Sequence, residues 1–465
     1  MTMTESPRNQ FYYVACQHGA EKVLKNAFCE PTGTFRLAYS GRGLLTFKLP
    51  YSVPAWSRVL PEHPLIRSRG VVLGRVTGDS SGPMVESILN DFGSIGWQAI
   101  HVWQRDVAQP GWNGFEPGQS ILAATIASLL RDRMKQTGDV RPVLAHGLES
   151  HKSFKEPEIE LAANGGHQSL APISSVSPLP AAESGIDESG IPSAMEVTTT
   201  RSEPIPQIAR VDRILEIIID EPHRWWVASK VAQQSFDFWP GGVPDLYQPQ
   251  EVISRAYFKI AEAFAWSGLQ IRPGERVVEI GASPGGACQW LLDAGARVTG
   301  IDPAEMEPSL LTHPHFNHWR GRSKQVKRRA FREFRILACD ANVAPNYTLD
   351  TVEAIVTYPT SRFRALVLTI KMPEWELAQS IPDHIERVRS WGFRHVAARQ
   401  LAHNRREYCL VAKGRIRVAN SELRANDEHS IPSENLSEIL LESGPTDPAE
   451  VYQTDPLDSS DQTEQ

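Results

Sequence analysis

Apolar positions recur along the chain at two spacings, and the switches between them mark alternating strands and helices. Near the front, residues 11–16 (FYYVAC) form an apolar run of strand length, followed by a helical stretch over 21–24. Further strand candidates cover 43–49, 71–76 and 98–103, and residues 119–133 (QSILAATIASLLRDR) carry apolar side chains at helical spacing. Patterning returns at 211–220 (VDRILEIIID) and runs on to Trp225 and Trp226, which read as packing residues. After a PGGV turn at 240–243, a helix is expected over 254–266, then strands at 275–280, 296–301, 334–338, 354–357, 365–371 and 408–413, with a helix at 288–293 between the first two. Alternation of this kind implies an α/β fold with a mostly parallel sheet.

Two stretches break the pattern. Residues 148–207 are rich in Ser, Pro and Ala and read as a flexible linker or insertion, and residues 420–465 read as an acidic disordered tail. These breaks divide the chain into a front α/β region at 1–147, its continuation at 208–248, and a second α/β domain at 249–419. Charge follows the same division. The formal net charge is −7, but residues 421–465 hold −11 and residues 149–209 hold −6, which leaves +10 on the patterned parts. A basic body with acidic flexible segments is compatible with a polyanionic partner without being specific for one. The five cysteines are isolated and form no CxxC pair, so neither a zinc site nor a disulfide framework is expected. There is no apolar run of membrane-spanning length and no signal-peptide pattern at the start, and a cytoplasmic setting is the simplest expectation.

The richest local signal is EIGASPGGA at 279–287, where a strand turns into a helix, followed by a second strand ending at Asp302. Glycines at such a turn let backbone approach a nucleotide-like ligand, and an acid about 20 residues on can hold ribose hydroxyls. GxGxxG is absent and no Gly-Lys-Ser/Thr follows, so the loop is not built for a pyrophosphate. A ligand with ribose and adenine but no pyrophosphate, such as S-adenosylmethionine, suits it better. The alternative is a tight strand-to-helix turn that needs small residues.

Four ionisable residues sit at the ends of expected elements: Lys259 in SRAYFKIAE, Asp340 in ACDAN after an apolar strand, Lys371 at the end of ALVLTIK, and Glu407 in NRREYCLVAKG. In a parallel sheet, residues at the carboxyl ends of strands line the ligand crevice, which covers Asp340 and Lys371 directly. Singly, each has a plainer reading: a solvated lysine, an Asx turn, a surface ion pair with Arg405 or Arg406. Together, SRAYFKIAEAF, EIGASPGGA, GIDPAEM, ACDAN, TIKMP and NRREYCLVAKG follow one another in an order that resembles the FtsJ-type RNA ribose-2′-O-methyltransferases. Within them the chain looks most like the large-subunit rRNA cytidine 2′-O-methyltransferase family M.

The resemblance implies a Rossmann-like S-adenosylmethionine-dependent domain with a mostly parallel seven-stranded sheet, preceded by an α+β THUMP-like RNA-binding region. It implies a catalytic tetrad at Lys259, Asp340, Lys371 and Glu407, with Lys371 as the base. Lys259 would disfavour a proton on Lys371, Asp340 would orient the lysine, and Glu407 would hold Lys259 or the substrate ribose. Cofactor contacts are implied at Gly281, Ser283, Pro284, Gly285, Gly286, Asp302 and Asp340, with no metal. The expected substrate is RNA, a cytidine of the large-subunit (23S) rRNA. The chain departs from the family where Ala287 replaces a common Trp; Trp290, one turn later, is a partial substitute on spacing. No acidic partner for adenine stands out between Asp302 and Asp340.

Eight basic residues and one acid lie between Arg320 and Arg335. This run is the best local nucleic-acid signal, with RNA contacts expected at Arg320, Arg322, Lys324, Lys327, Arg328 and Arg329. Phe331 and Phe334 within it either stack on bases or face the core. Two other functional classes stay open on sequence: a non-catalytic RNA-binding protein that keeps the fold, and a small-molecule methyltransferase.

Overall fold

The computed structural model describes residues 10–29, 35–49, 62–139, 141–145 and 213–415. The linker expected at 148–207 and the acidic tail expected at 420–465 lie outside the described residues. The described residues pack as one unit built on two sheets.

The front sheet begins with β1 (Phe11–Cys16), α1 (Glu21–Cys29), β2 (Arg36–Gly41), β3 (Leu44–Lys48) and β4 (Ile66–Thr77). It continues through α2 (Ser81–Phe92), β5 (Ala99–Gln104), α3 (Ile121–Gln136) and β6 (Val143–Ala145) to the hairpin β7 (Arg213–Glu221) and β8 (Arg224–Val231). Its eight strands run in the order β2-β3-β1-β4-β8-β7-β5-β6, and only the β5 pairings with β6 and β7 are parallel. β7 is buried over seven consecutive residues, as a strand covered on both faces must be, which accounts for its largely apolar sequence; Glu216 and Asp220 are the buried exceptions. On one face, α2 and α3 bury Met84, Ile88, Ile126 and Leu130 against Leu215, Ile217 and Trp225. The Ser120 hydroxyl caps α3 by accepting the Ala123 N–H at 3.1 Å.

The second sheet follows α4 (Ala256–Ser267) and contains β9 (Arg276–Ile280), α5 (Gly286–Asp293), β10 (Arg297–Asp302), α6 (Pro308–Leu311) and β11 (Phe316–Arg320). β12 (Ile336–Cys339), α7 (Pro345–Val356), β13 (Ala365–Lys371), α8 (Ile381–Ser390), β14 (Phe393–Arg399) and β15 (Glu407–Arg415) complete it. The order is β11-β10-β9-β12-β13-β15-β14; the first five strands are parallel, and β15 runs antiparallel to both its neighbours. One expected strand is not a strand. Residues 354–357 end α7, whose Leu349, Val352, Ile355 and Val356 are buried at helical spacing. A four-residue apolar run cannot by itself separate the two periods. β2, β8, β11 and β14 escaped the sequence reading because their burial is partial or irregular, or because no turn signal framed them.

One hydrophobic cluster joins the sheets, from Tyr12, Val14 and Phe47 of the front to Leu368, Met372 and Tyr408 of the second. Polar contacts reinforce the join: the buried Arg399 guanidinium donates to the Arg67 carbonyl at 2.9 Å.

Candidate active site

The chain leaves β9 outward to β10 and β11, then returns to place β12 on the other side of β9. That reversal opens a crevice at the carboxyl ends of β9 and β12, where open α/β sheets bind ligands. Asp340 follows β12 at this rim, and Lys371 is the last residue of β13. Because β15 is antiparallel, its first residue, Glu407, falls at the same rim, in register with Lys371. Lys259 enters from the second turn of α4. The four residues singled out in the sequence therefore converge, although 148 positions separate Lys259 from Glu407.

They form a closed ring of alternating charge. Lys259 Nζ lies 2.6 Å from Asp340 Oδ2 and 2.9 Å from Glu407 Oε1. Lys371 Nζ lies 2.8 Å from Asp340 Oδ1 and 2.6 Å from Glu407 Oε2. Side-chain exposure of 8–19% keeps the ring mostly dry while leaving a route in. Burial alone would lower the pKa of Lys371, but Asp340 and Glu407 outweigh it and raise the pKa well above that of an ordinary lysine. This corrects the expectation that neighbours depress it: in the closed ring Lys371 is held charged. Lys259 is raised in the same way. Burial alone would raise Glu407, and the two ammonium groups pull it well below the usual carboxylate range.

Residues with no sequence signal hold the ring in place. Asn404 Nδ2 donates to Glu407 Oε1 at 3.2 Å. Behind it, Gln400 Nε2 donates to the Gln17 side chain at 2.8 Å and the Arg405 carbonyl at 3.0 Å, and Gln17 of the front sheet donates to the Asn404 carbonyl. Buried Glu262 accepts from the Ala402 and His403 N–H groups and from His403 Nδ1, fixing the loop before β15. Only the fold makes these partners meet.

Beside the ring lies a cavity of about 230 Å³ between the ends of β9, β10 and β12 and the start of α7. Gly281 and Asp302 line it with Ile280, Ile301 and Tyr347. Gly281 has φ +76°, and a Cβ there would fall 2.6 Å from Ala341 Cα, so only glycine allows this approach. Thr348 and Thr351 also belong to the lining, and their hydroxyl oxygens are buried without a hydrogen-bond partner among the described residues. Apolar walls with the Asp302 carboxylate at the rim suit a ligand that is part aromatic and part polyol, as the nucleoside half of S-adenosylmethionine is. Ser283, Pro284, Gly285 and Gly286 shape the turn outside this lining: Ser283 N donates to Asp302 Oδ2 at 3.2 Å, its hydroxyl donates to the Glu305 carbonyl, and Gly285 packs on Leu310. Asp340 belongs to the ring and to a smaller cavity of about 20 Å³ lined also by Lys259, Glu279, Ala287 and Thr369. Trp290 does not stand in for a Trp at position 287, because its ring packs on Phe264 at 4.8 Å, outside that cavity.

The basic run is split by structure. Arg320, Arg322, Lys324 and Arg329 are exposed, with Arg320 paired to Glu305 at 3.1 Å and Lys324 over the Tyr347 ring at 4.1 Å. Lys327 is half-buried, as is Arg328, which donates to the Ser323 carbonyl at 3.2 Å. Phe331 and Phe334 are buried against each other and Trp319, so they face the core.

Residues 252–389 match the FtsJ-like methyltransferase family model. The match holds Lys259, Asp340 and Lys371 and stops before Glu407. The chain is 30% identical over 183 residues to the ribosomal RNA large subunit methyltransferase M of Halorhodospira halophila, covering 38% of this chain and 51% of that protein. It is 30% identical over 181 residues to the protein of the same name from Azotobacter vinelandii, covering 36% and 50%. The chain thus spans about half the length of these curated relatives. Among solved structures, the fibrillarin pre-rRNA processing protein of Methanococcus jannaschii aligns at 13% identity and a TM-score of 0.28, over 43% of this chain and 82% of that one, a likeness too distant to carry an argument.

Proposed function

We propose that this chain transfers a methyl group from S-adenosylmethionine to a ribose 2′-hydroxyl of RNA, and that its substrate is a cytidine of the large-subunit rRNA. The observation that carries this reading is the closed Lys259–Asp340–Lys371–Glu407 ring beside a cavity fit for a nucleoside, in a chain whose residues 252–389 match the FtsJ-like methyltransferase family model. The name that these relatives share, ribosomal RNA large subunit methyltransferase M, supports rRNA as the substrate class.

A ribose hydroxyl becomes a nucleophile only as its proton leaves. The bound cofactor supplies the electrophilic methyl on a cationic sulfur. The chain supplies the rest. Lys371 must first give its extra proton to solvent, against the pull of Asp340 and Glu407; both carboxylates then serve Lys259, which stays charged. Lys371 is then a neutral amine that accepts the hydroxyl proton. The Lys259 charge opposes its reprotonation and faces the developing alkoxide. Asp340 and Glu407 fix both lysines, so positioning contributes much of the rate. Gly281 and Asp302 belong to the cofactor cavity in this reading, and the turn from Ser283 to Gly286, outside its lining, holds Asp302 through the Ser283 N–H.

The front sheet, with 208–248, is read as the THUMP-like RNA-binding lobe, and 249–419 as the transferase. Arg320, Arg322, Lys324 and Arg329, with Lys327 and Arg328 behind them, extend the RNA path. The setting proposed is cytoplasmic; no helix among the described residues is long and apolar enough to cross a membrane.

Two measurements test the reading. Ribose-methylation maps of total rRNA from cells with and without the protein should differ at one nucleotide, and an unchanged map sinks the rRNA assignment. Calorimetry should show the purified protein binding S-adenosylmethionine. RNA binding without cofactor affinity would leave a non-catalytic RNA-binding protein, and methylation of small acceptors alone would leave a small-molecule methyltransferase.

A further inference from the structure

The loop between β5 and α3 belongs to the front sheet, yet it reaches the rim of the charged ring. Arg405 Nε donates to the Pro110 carbonyl at 2.8 Å. Gly111 lies so close to two arginines that a Cβ on it would fall 2.9 Å from Arg405 Nη2 and 3.1 Å from Arg255 Cδ. Both arginines flank the tetrad: Arg255 is one helical turn before Lys259, whose N–H donates to the Arg255 carbonyl at 3.3 Å, and Arg405 is two residues before Glu407. Arg255 also faces Glu116 of the loop at 3.8 Å and donates to the His403 carbonyl at 2.7 Å.

The residue after Gly111 is Trp112, and it is 45% exposed. Its loop is tightly built. Gly111 N donates to the Phe115 carbonyl at 2.6 Å, Trp112 N to Gln109 at 3.0 Å and Phe115 N to Trp112 at 2.9 Å. Asn113 adopts a positive φ of 49°, a conformation that non-glycine residues hold only where a turn demands it. A half-exposed Trp112 therefore sits on a hydrogen-bonded turn whose Pro110 and Gly111 pack on the two arginines that flank the tetrad in sequence. The basic run offers charge without faces, since Phe331 and Phe334 are buried. Single-stranded RNA needs both, because cations track the phosphates and aromatic faces take the bases.

We propose that Trp112 is a base-stacking platform for the single-stranded RNA nucleotide at or next to the target ribose, with Arg255 and Arg405 as its cationic flank. The inference rests on the RNA reading above and adds the residue by which the front lobe grips the substrate at the site of transfer. Stacking on one aromatic ring changes affinity by on the order of 5- to 100-fold on alanine substitution.

The test is fluorescence anisotropy of the full chain with oligouridine and with an abasic ribose-phosphate oligomer of the same length. Trp112→Ala should weaken oligouridine binding about tenfold or more, Trp112→Phe should restore most of it, and the salt slope should stay unchanged because no phosphate contact is lost. On the abasic oligomer the variants should match the wild type. Equal affinity of Trp112→Ala and wild type for oligouridine overturns the inference, as does an equal loss on both oligomers, which would mark a purely structural role. Methyl transfer to rRNA is measured separately. Wild type that binds oligouridine through Trp112 yet transfers no methyl overturns the proposed activity and leaves the platform standing. Wild type that methylates rRNA without dependence on Trp112 does the reverse.

Discussion

Each half of the molecule buries a cluster of opposite charges, and the two clusters differ in where they sit. In the front sheet, Glu216 lies 3.0 Å from His101 Nδ1 and 2.8 Å from Lys230 Nζ, and it also accepts from the Trp103 indole. Burial alone would raise the Glu216 carboxyl, but Lys230 and His101 lower it to about 2. All three residues lie within neighbouring strands, and their side chains are at most 5% exposed. The Lys259–Asp340–Lys371–Glu407 ring is also paired and mostly dry, yet it stands at strand ends, beside a cavity and at a topological reversal. Buried ion clusters alone therefore do not mark chemistry. Access, and a ligand-sized space next to them, separate a working cluster from a structural one.

Substitutions should separate the two clusters sharply. Lys371→Ala should lower methyl transfer to rRNA by on the order of 10²–10⁴-fold, measured with radiolabelled cofactor. Calorimetric cofactor affinity and the denaturation midpoint should move little, because Lys259 still answers both carboxylates. Retained activity with lost stability would place the ring in the same class as the front cluster. Glu216→Gln should do the opposite. Leaving Lys230 buried without its carboxylate should cost on the order of 3–5 kcal/mol in chemical denaturation, with turnover per folded molecule unchanged.

Glu279 gives the smallest and most conditional effect. It is 2% exposed, it accepts from the Cys288 thiol at 2.8 Å, and burial pushes its carboxyl up to about 8 despite that thiol. A carboxyl whose pKa is higher folded than unfolded keeps its proton in the folded state between pH ~4.5 and ~8, so stability falls as pH rises through that window. Wild-type stability should drop by on the order of a few kcal/mol from pH 5 to pH 8, and Glu279→Gln should flatten the decline. Parallel pH profiles for the two proteins would show that Glu279 ionises normally.

Legibility followed sequence distance. The β9 turn, the α3 helix and strands β1, β9, β10 and β13 could be read because periodicity, turn residues and strand length agree within a short window. The tetrad is legible because Asp340, Lys371 and Glu407 sit at the ends of recognisable strands, Lys259 lies in the helix before the first of them, and the motif order resembles a family. Asn404, Gln400, Gln17 and Glu262 could not be found that way: an Asn, two Gln and a Glu without a motif look like any polar residue. Trp112 carries no more signal than these, since a Pro-Gly-Trp-Asn-Gly loop signals only a turn. The strand expected at 354–357 failed because a short apolar run suits either period until a helix upstream claims it.

The sequence by itself determined the element pattern around the Gly-rich turn, the chemistry available at four strand and helix ends, and the basic balance of the patterned parts. Tertiary structure decided how those ends combine. The antiparallel return of β15 brings Glu407 opposite Lys371, and a shared core brings Gln17 and the Trp112 loop of the front sheet to the rim of the second. It also decided protonation: two carboxylates within 2.8 Å hold Lys371 charged, where the sequence alone suggested a depressed lysine. The physical reason is range. Backbone propensity and hydrophobic period act over a few residues, whereas Coulomb interactions and close packing depend on distances that only the folded chain sets.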